Sequence, residues 1–343
     1  MRVRPKLAIT MGDPLGIGPE VTVKALADLS EKECVPVVIG DGMVLKDALE
    51  YCRLSLPLRR IESPLEASGK LGVIEYIEPV SLPREDYRYG QVSASAGESA
   101  FQYVTAAIGY AMKREVDGVV TGPINKEAIH LAGHPYSGHT EIFSDYTHTK
   151  QYAMLLMSGH LRVIHCTTHV SMRQACDLIT TDRVYHVIEL ADQAMKMLGL
   201  ERYRIGVAGL NAHCSENGLF GTEEEQAIIP AIKLARSKGI CVEGPVPPDT
   251  VFVKAVGGQY DVVVAMYHDQ GHIPLKLMGF RMDAQSGTFA SVSGINTTIG
   301  LPILRTSVDH GTAFDRAGKN MANEQSMLEA IRLAVQMAPF YRE

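Results

Sequence analysis

Short runs of apolar, often β-branched residues recur along the chain: KLAIT (6–10), VPVVIG (35–40), LGVIEYI (71–77), DGVVTG (117–122), LRVIHC (161–166), YRIGVAGL (203–210) and YDVVVAMY (260–267). Most are continuous runs and not alternations, the pattern of strands covered on both faces in a parallel sheet. Between them lie segments with apolar residues at helical spacing, over 18–29, 97–116, 182–199, 223–239 and about 324–338. Alternating strand and helix predicts an α/β fold. The 223–239 segment opens with three glutamates and closes with Arg236, Lys238 and Gly239. That charge order suits a helix dipole, and the glycine suits a helix stop.

In such sheets the functional loops collect at the carboxyl ends of strands. TMGDPLGIGPE, TGPINKE, CTTHVS, LNAHCSENG and MYHDQGH all fall there, and the last three carry His169, His213 and His268. The histidines are 44 and 55 residues apart, which fits no local metal motif, so a site would have to be assembled from three strand ends. Three imidazoles with one open position are the catalytic form of a metal site. Each alone is as readily an ordinary polar loop residue, and only the set points to a metal. The MGDPLGIGPE loop has Gly16 and Gly18 but lacks the third glycine of a dinucleotide fingerprint. It reads as a tight turn feeding a helix, with Pro19 near the helix start.

A chain of 343 residues predicts two domains, or one large α/β domain with a subdomain. With 46% hydrophobic and 21% charged residues it is a folded protein and not a disordered one. The net charge of −6, with no basic stripe, speaks against a nucleic-acid partner and for a small molecule. There is no 18-residue apolar stretch, and the N-terminal segment does not read as a signal peptide. Six cysteines without a CxxC pair suit a reducing cytoplasm. The C-terminal helix could return to the N-terminal sheet, which makes the expected domains discontinuous: 1–130 with 300–343, and 131–299.

The segment DHGTAFDRAGKNMANE (309–324) resembles the adenosine-binding loop of the isocitrate and isopropylmalate dehydrogenases, with Phe314 in place of that motif's proline. Those enzymes bind NAD or NADP without a Rossmann domain, so the absent fingerprint is no objection. The resemblance assigns His310, Gly311, Thr312, Ala313 and Asn323 to the cofactor.

Taken together, MGDPLGIGPE, TGPINKEA, GHTE, the NxH loop at 211–213, PPDTVF, YHDQGHIPLKL and GLPILRTSVDHGTAFD resemble the 4-hydroxythreonine-4-phosphate dehydrogenase family and its 4-phospho-threonate and 4-phospho-erythronate branch. HIPLKL leans toward that second branch. The resemblance implies an isocitrate/isopropylmalate-dehydrogenase-like three-layer α/β/α fold, two subdomains with the active site in the cleft between them, and a homodimer. It makes His169, His213 and His268 ligands of a divalent cation (Zn, Mg, Mn or Co) shared between subunits. His139, Thr140, Lys276, Asn296 and Arg305 become substrate contacts, a cationic and amide cluster suited to a phosphorylated acid.

The implied reaction is NAD(P)-dependent oxidation of the C3 hydroxyl of a four-carbon 4-phosphorylated acid, followed by decarboxylation. The chain departs from the family by an insertion over about 281–293, beside the substrate cluster, and by Cys214 and Ser215 in the NxH loop. Asp249 and Asp269 are candidates for supporting the metal ligands or for a general base, and Asp249 is equally a helix cap. Lys126 could relay a proton or simply open a helix. An acyltransferase of the phosphate acetyltransferase kind, a metal hydrolase and a non-enzymatic organic-phosphate binder are the competing readings.

Overall fold

The computed structural model describes residues 4–30, 33–70, 72–282, 289–292 and 294–342. Its strands are β1 (Lys6–Thr10), β2 (Val35–Ile39), β3 (Leu58–Arg60), β4 (Ile74–Ile77), β5 (Gly118–Thr121), β6 (Ala153–Ser158), β7 (Leu161–His165), β8 (Ile205–Ala208), β9 (Val242–Val246), β10 (Val262–Ala265), β11 (Phe280–Met282), β12 (Phe289–Val292), β13 (Ile295–Ile299) and β14 (Arg305–Val308). The helices are α1 (Gly18–Asp28), α2 (Gly42–Tyr51), α3 (Ala94–Met112), α4 (Lys126–Leu131), α5 (His139–Tyr146), α6 (Met172–Leu178), α7 (Thr181–Met197), α8 (Ile229–Ser237), α9 (Val251–Val256), α10 (His268–Gly279) and α11 (Gln325–Arg342). All seven apolar runs form strands, and the fold is α/β. The chain divides into two compact units, 1–150 with 301–343, and 151–300. The short helix α5, which sequence placed beyond the first domain, belongs to the first unit.

In the first unit the strand order is β3-β4-β2-β1-β5-β14, with every pairing parallel. Leu7, Ala8 and Ile9 of β1 and Val119 and Val120 of β5 are fully buried, which is why these runs lack alternation. Side-chain caps set several helix starts. Asp41 Oδ1 accepts from the Met43 and Val44 N–H groups at α2, and Asn125 Oδ1 from Ala128 N–H at α4.

The second unit runs β13-β6-β7-β10-β8-β9 and is mixed. β6 is antiparallel to both β13 and β7, while β10 is parallel to β7 and β8. The expectation of a parallel sheet fails at β6 because Gly159 and His160 turn the chain straight back into β7, and so short a link permits only an antiparallel pair. Glutamates 223–225 do not simply greet a helix dipole either: Glu224–Ile228 is a π-helical turn before α8, and Glu224 is buried. β11 pairs antiparallel with β12 inside the inserted 281–293 region, of which 283–288 and 293 lie outside the described residues.

Candidate active site

β7, β10 and β8 are parallel neighbours, so their carboxyl ends lie side by side and the loops leaving them carry His169, His268 and His213. Buried side chains tie these loops together. Thr167 Oγ1 donates to the Met266 carbonyl at 2.9 Å, while Gln270 accepts from Met266 N–H at 2.6 Å and donates to the Gly209 carbonyl at 2.8 Å. Glu224, 1% exposed, accepts from the Leu210 and Asn211 N–H groups, both at 2.7 Å, and from Asn211 Nδ2 at 2.8 Å. These ties fix the platform on which the histidines stand.

The His169 and His268 rings are 5.7 Å apart between centroids, a gap that two metal–nitrogen bonds of ~2.0–2.1 Å can bridge. His268 Nδ1 is 2.6 Å from Asp269 Oδ1, which turns the other ring nitrogen toward a ligand role, and this bond holds the Asp269 carboxyl below its usual range. One helical turn on, His272 stacks on His268 at 3.6 Å and its Nδ1–H donates to the His268 carbonyl. Burial pushes His272 down to about 4 and the neighbouring His165 down to about 3, so both are neutral at physiological pH. His213 stands apart. It is exposed and begins a run of five left-handed non-glycine residues, His213–Asn217, so a tight turn and not the strand aims it. Among the described residues no group of three or more His, Cys, Asp or Glu is placed to hold a metal ion. The His169–His268 pair with its Asp269 support fits part of a cation site, while His213 lies on the loop after the adjacent strand.

In the first unit, β14 begins with Arg305, 2% exposed, whose guanidinium donates to Thr121 Oγ1 of β5 at 3.0 Å and lies 5.7 Å from the Phe143 ring centroid. Burial pushes its pKa down to about 9, with Glu141 opposing, so it remains cationic at neutral pH. His139 and Thr140 open α5, whose start has no side-chain cap, and the first N–H groups of a helix, which lack partners within the helix, favour an anion. Burial, aided by Arg305, holds His139 well below its usual range, so a neutral imidazole sits beside the cation. Thr121 and Glu141 were not singled out by sequence. Glu141 stood in view inside GHTE, but only the fold brings it to Arg305.

Lys276 and Asn296 belong to the second unit. Asn296 is half-buried on β13 opposite Leu156. Lys276 is exposed despite its apolar sequence neighbours, because Ile273, Leu277 and Met278 are exposed on α10 as well, and its Nζ sits 4.9 Å over the Phe280 ring. Asp249 does not cap α9, which has no side-chain cap, and its charge reaches Cys214: burial first, then Glu224 and Asp249, push that thiol up to about 11. Lys126 occupies the first position of α4.

The 310–323 segment follows β14. Thr312 is buried, Ala313 is left-handed (φ +41°), and Gly318 (φ +72°) packs so closely on Tyr89 that an added Cβ would come within 2.7 Å of its ring. His310 is half-buried, with Nδ1 3.0 Å from the Gly311 carbonyl. Asn323 Oδ1 accepts from Gln325 N–H and so also starts α11.

A family model described as pyridoxal phosphate biosynthetic protein PdxA matches residues 32–334. The D-threonate 4-phosphate dehydrogenase of Salmonella typhimurium is 48% identical over 334 residues, 97% of this chain and 98% of that protein. The enzyme of that name from Cupriavidus necator is 46% identical over 336 residues, covering 97% of each. A crystal structure of 4-hydroxythreonine-4-phosphate dehydrogenase from Klebsiella pneumoniae matches with a TM-score of 0.83 at 45% identity, over 97% of this chain and 99% of that one. Fold and likeness together define an oxidoreductase acting on a CH–OH group. The chain belongs to the PdxA family.

Proposed function

We propose that this protein oxidises the C3 hydroxyl of D-threonate 4-phosphate, or of its close relatives 4-phospho-D-erythronate and 4-phosphohydroxy-L-threonine, and that the resulting 3-oxo acid loses its carboxylate as CO2. The observation that carries this reading is the buried Arg305, held by Thr121 beside a neutral His139 at the start of α5. A fixed, desolvated guanidinium with helix N–H groups nearby is matched to a phosphate or carboxylate. His139 and Thr140 supply further donors to the same group. The relatives named for D-threonate 4-phosphate support that substrate over the other two.

His169 and His268, with His213 from the adjacent strand end, would hold a divalent cation, and three imidazoles suit zinc among the four candidate ions. Bound there, a cation supplies Lewis acidity to a substrate oxygen, and a dinucleotide on the 310–323 loop supplies the hydride acceptor. Asp269 orients His268 through its 2.6 Å contact, and the neutral His272 beneath it adds no competing charge. His310, Gly311, Thr312, Ala313 and Asn323 form the seat for NAD, with NADP the second choice. No helix among the described residues is long and apolar enough to cross a membrane, and a cytoplasmic homodimer that completes the cation site is part of the proposal.

The test is absorbance at 340 nm with NAD+, a divalent metal and the three phosphorylated acids in turn. We expect reduction fastest with D-threonate 4-phosphate and CO2 released in equal amount. Silence on all three from folded, metal-loaded protein would refute the reaction, and reduction without CO2 would remove its second half.

A further inference from the structure

The glycine-rich loop 11–20 and the first turns of α1 take no part in the reaction just described. We propose that Glu20 and Lys24 are positioning residues for the dinucleotide: a charge-paired clamp that holds the backbone of Ala322 and so fixes the far end of the 310–323 loop. The proposal rests on the reading of that loop as the cofactor seat.

Glu20 Oε1 accepts from Ala322 N–H at 2.7 Å and from Lys24 Nζ at 2.7 Å, while Lys24 Nζ donates to the Ala322 carbonyl at 2.8 Å. One ion pair, four residues apart on α1, therefore grips both the donor and the acceptor of a single loop residue. The near end is held from the same segment. Ile17 N–H donates to the Thr312 carbonyl at 2.9 Å, and a Cβ on Gly16 would come within 2.9 Å of Thr312 Cβ, so only glycine lets the two chains approach. Between these anchors Ala313 and Asn320 are left-handed, at φ +41° and +56°. Such conformations cost ~1–2 kcal/mol per residue and persist only where the surroundings over-determine them.

Burial of Glu20 argues against packing as its purpose. The side chain is fully buried, and its Oε2 has no hydrogen-bond partner among the described residues. A leucine would fill that position without desolvating a carboxylate. What the carboxylate adds is direction: a charge-assisted bond fixes the Ala322 N–H, and Lys24 neutralises the charge while fixing the carbonyl.

The experiment uses the full-length enzyme, with Lys24→Met and Glu20→Gln as the main variants, Lys24→Arg as the conservative one, and His310→Ala as the reference for the seat. NADH binding is followed by its fluorescence, and kcat and both KM values are measured with NAD+ and D-threonate 4-phosphate. Lys24→Met should raise the NADH Kd and the NAD+ KM about tenfold, by loss of preorganisation, while kcat at saturating NAD+ and the KM of the phosphorylated acid stay within about twofold. Lys24→Arg should restore most of the dinucleotide affinity. If His310→Ala weakens NADH but Lys24→Met does not, the clamp is overturned and the seat stands. If neither variant weakens NADH, the seat itself fails and the clamp with it. Parallel loss of kcat, both KM values and Tm would show a merely structural tie and overturn the proposal. Lys24 is partly exposed, so its variant carries the test even if Glu20→Gln does not fold.

Discussion

Two loops, 310–323 after β14 and 209–217 after β8, are each held by a buried glutamate, Glu20 for the first and Glu224 for the second. The first is gripped at both ends, through Thr312 and Ala322, and its glutamate is paired with Lys24. In the second, Glu224 holds only the start, at Leu210 and Asn211, and the stretch from His213 to Asn217 follows in a tight left-handed turn. On the proposed reading, the difference follows from what each loop presents. A seat that recognises a ligand by backbone shape has to be built before the ligand arrives, because its donors cannot move independently. Imidazoles that converge on a cation need only a fixed strand end, since metal binding itself orders the ligands.

The largest expected effect removes the buried guanidinium proposed to bind the substrate's charge. Arg305→Met should lower kcat/KM for the phosphorylated acid by on the order of 10²-fold or more, since breaking a buried charge interaction costs about 3–5 kcal/mol, with NADH Kd unchanged. An Arg305 variant that loses NADH affinity equally would erase the division of labour.

The next tests how tightly the first unit is packed around the 11–20 loop. Burial pushes Asp13 up from 3.8 to about 6, against the opposing bond from Leu15 N–H, and Oδ2 has no hydrogen-bond partner among the described residues. With a folded pKa above the unfolded one, the favourable contribution is complete below pH 3.8 and is lost as pH rises through 6. At pH 8 the buried carboxylate is therefore a cost of up to about 3 kcal/mol. Asp13→Asn should raise stability toward denaturant at pH 8 and flatten its fall between pH 4 and 7. A loss of stability at pH 8 would reveal a cationic partner that the fold does not show.

Glu224→Gln should sharpen the contrast from the other side. Replacing its charge weakens three bonds at the base of the 209–217 loop, for a stability loss of about 1–3 kcal/mol in denaturant titration. Because this loop carries His213, metal affinity measured against a chelator should fall too, whereas NADH affinity should not. Smallest is Asp269→Asn, expected to weaken metal affinity by ~10-fold to 100-fold through loss of the bond to His268, with no change in fold by circular dichroism. Unchanged metal affinity would mean that Asp269 serves some other role than orienting a ligand.

Much of the fold was legible from the pattern alone, because a strand buried on both faces must be apolar throughout: KLAIT and DGVVTG became β1 and β5. β3, β6 and β9, together with the strands after residue 270, lay outside the apolar runs. AMLLMS (β6) lacks the β-branched residues that mark a strand, and β3 has two exposed arginines in three residues. Among site residues, the histidine loops and GHTE were visible because polar residues at strand ends stand out against apolar runs. Their buried partners were not. Gln270 holds two strand ends and Glu224 holds a loop 13 residues away in sequence, yet both are common polar residues whose roles depend on what the sheet brings beside them.

By itself the sequence determined the alternation of strand and helix, the placement of reactive residues at strand ends, and, through its motifs, the PdxA family. Hydrophobic periodicity and local spacing suffice for those, since each is a property of a few neighbouring residues. Only the tertiary structure decided that β6 runs antiparallel, that Arg305 is desolvated between Thr121 and Phe143, and that Ala322 is gripped by an ion pair 298 residues away on α1. Those outcomes depend on strand order and on which polar groups lose their water, and neither is written in the spacing along the chain.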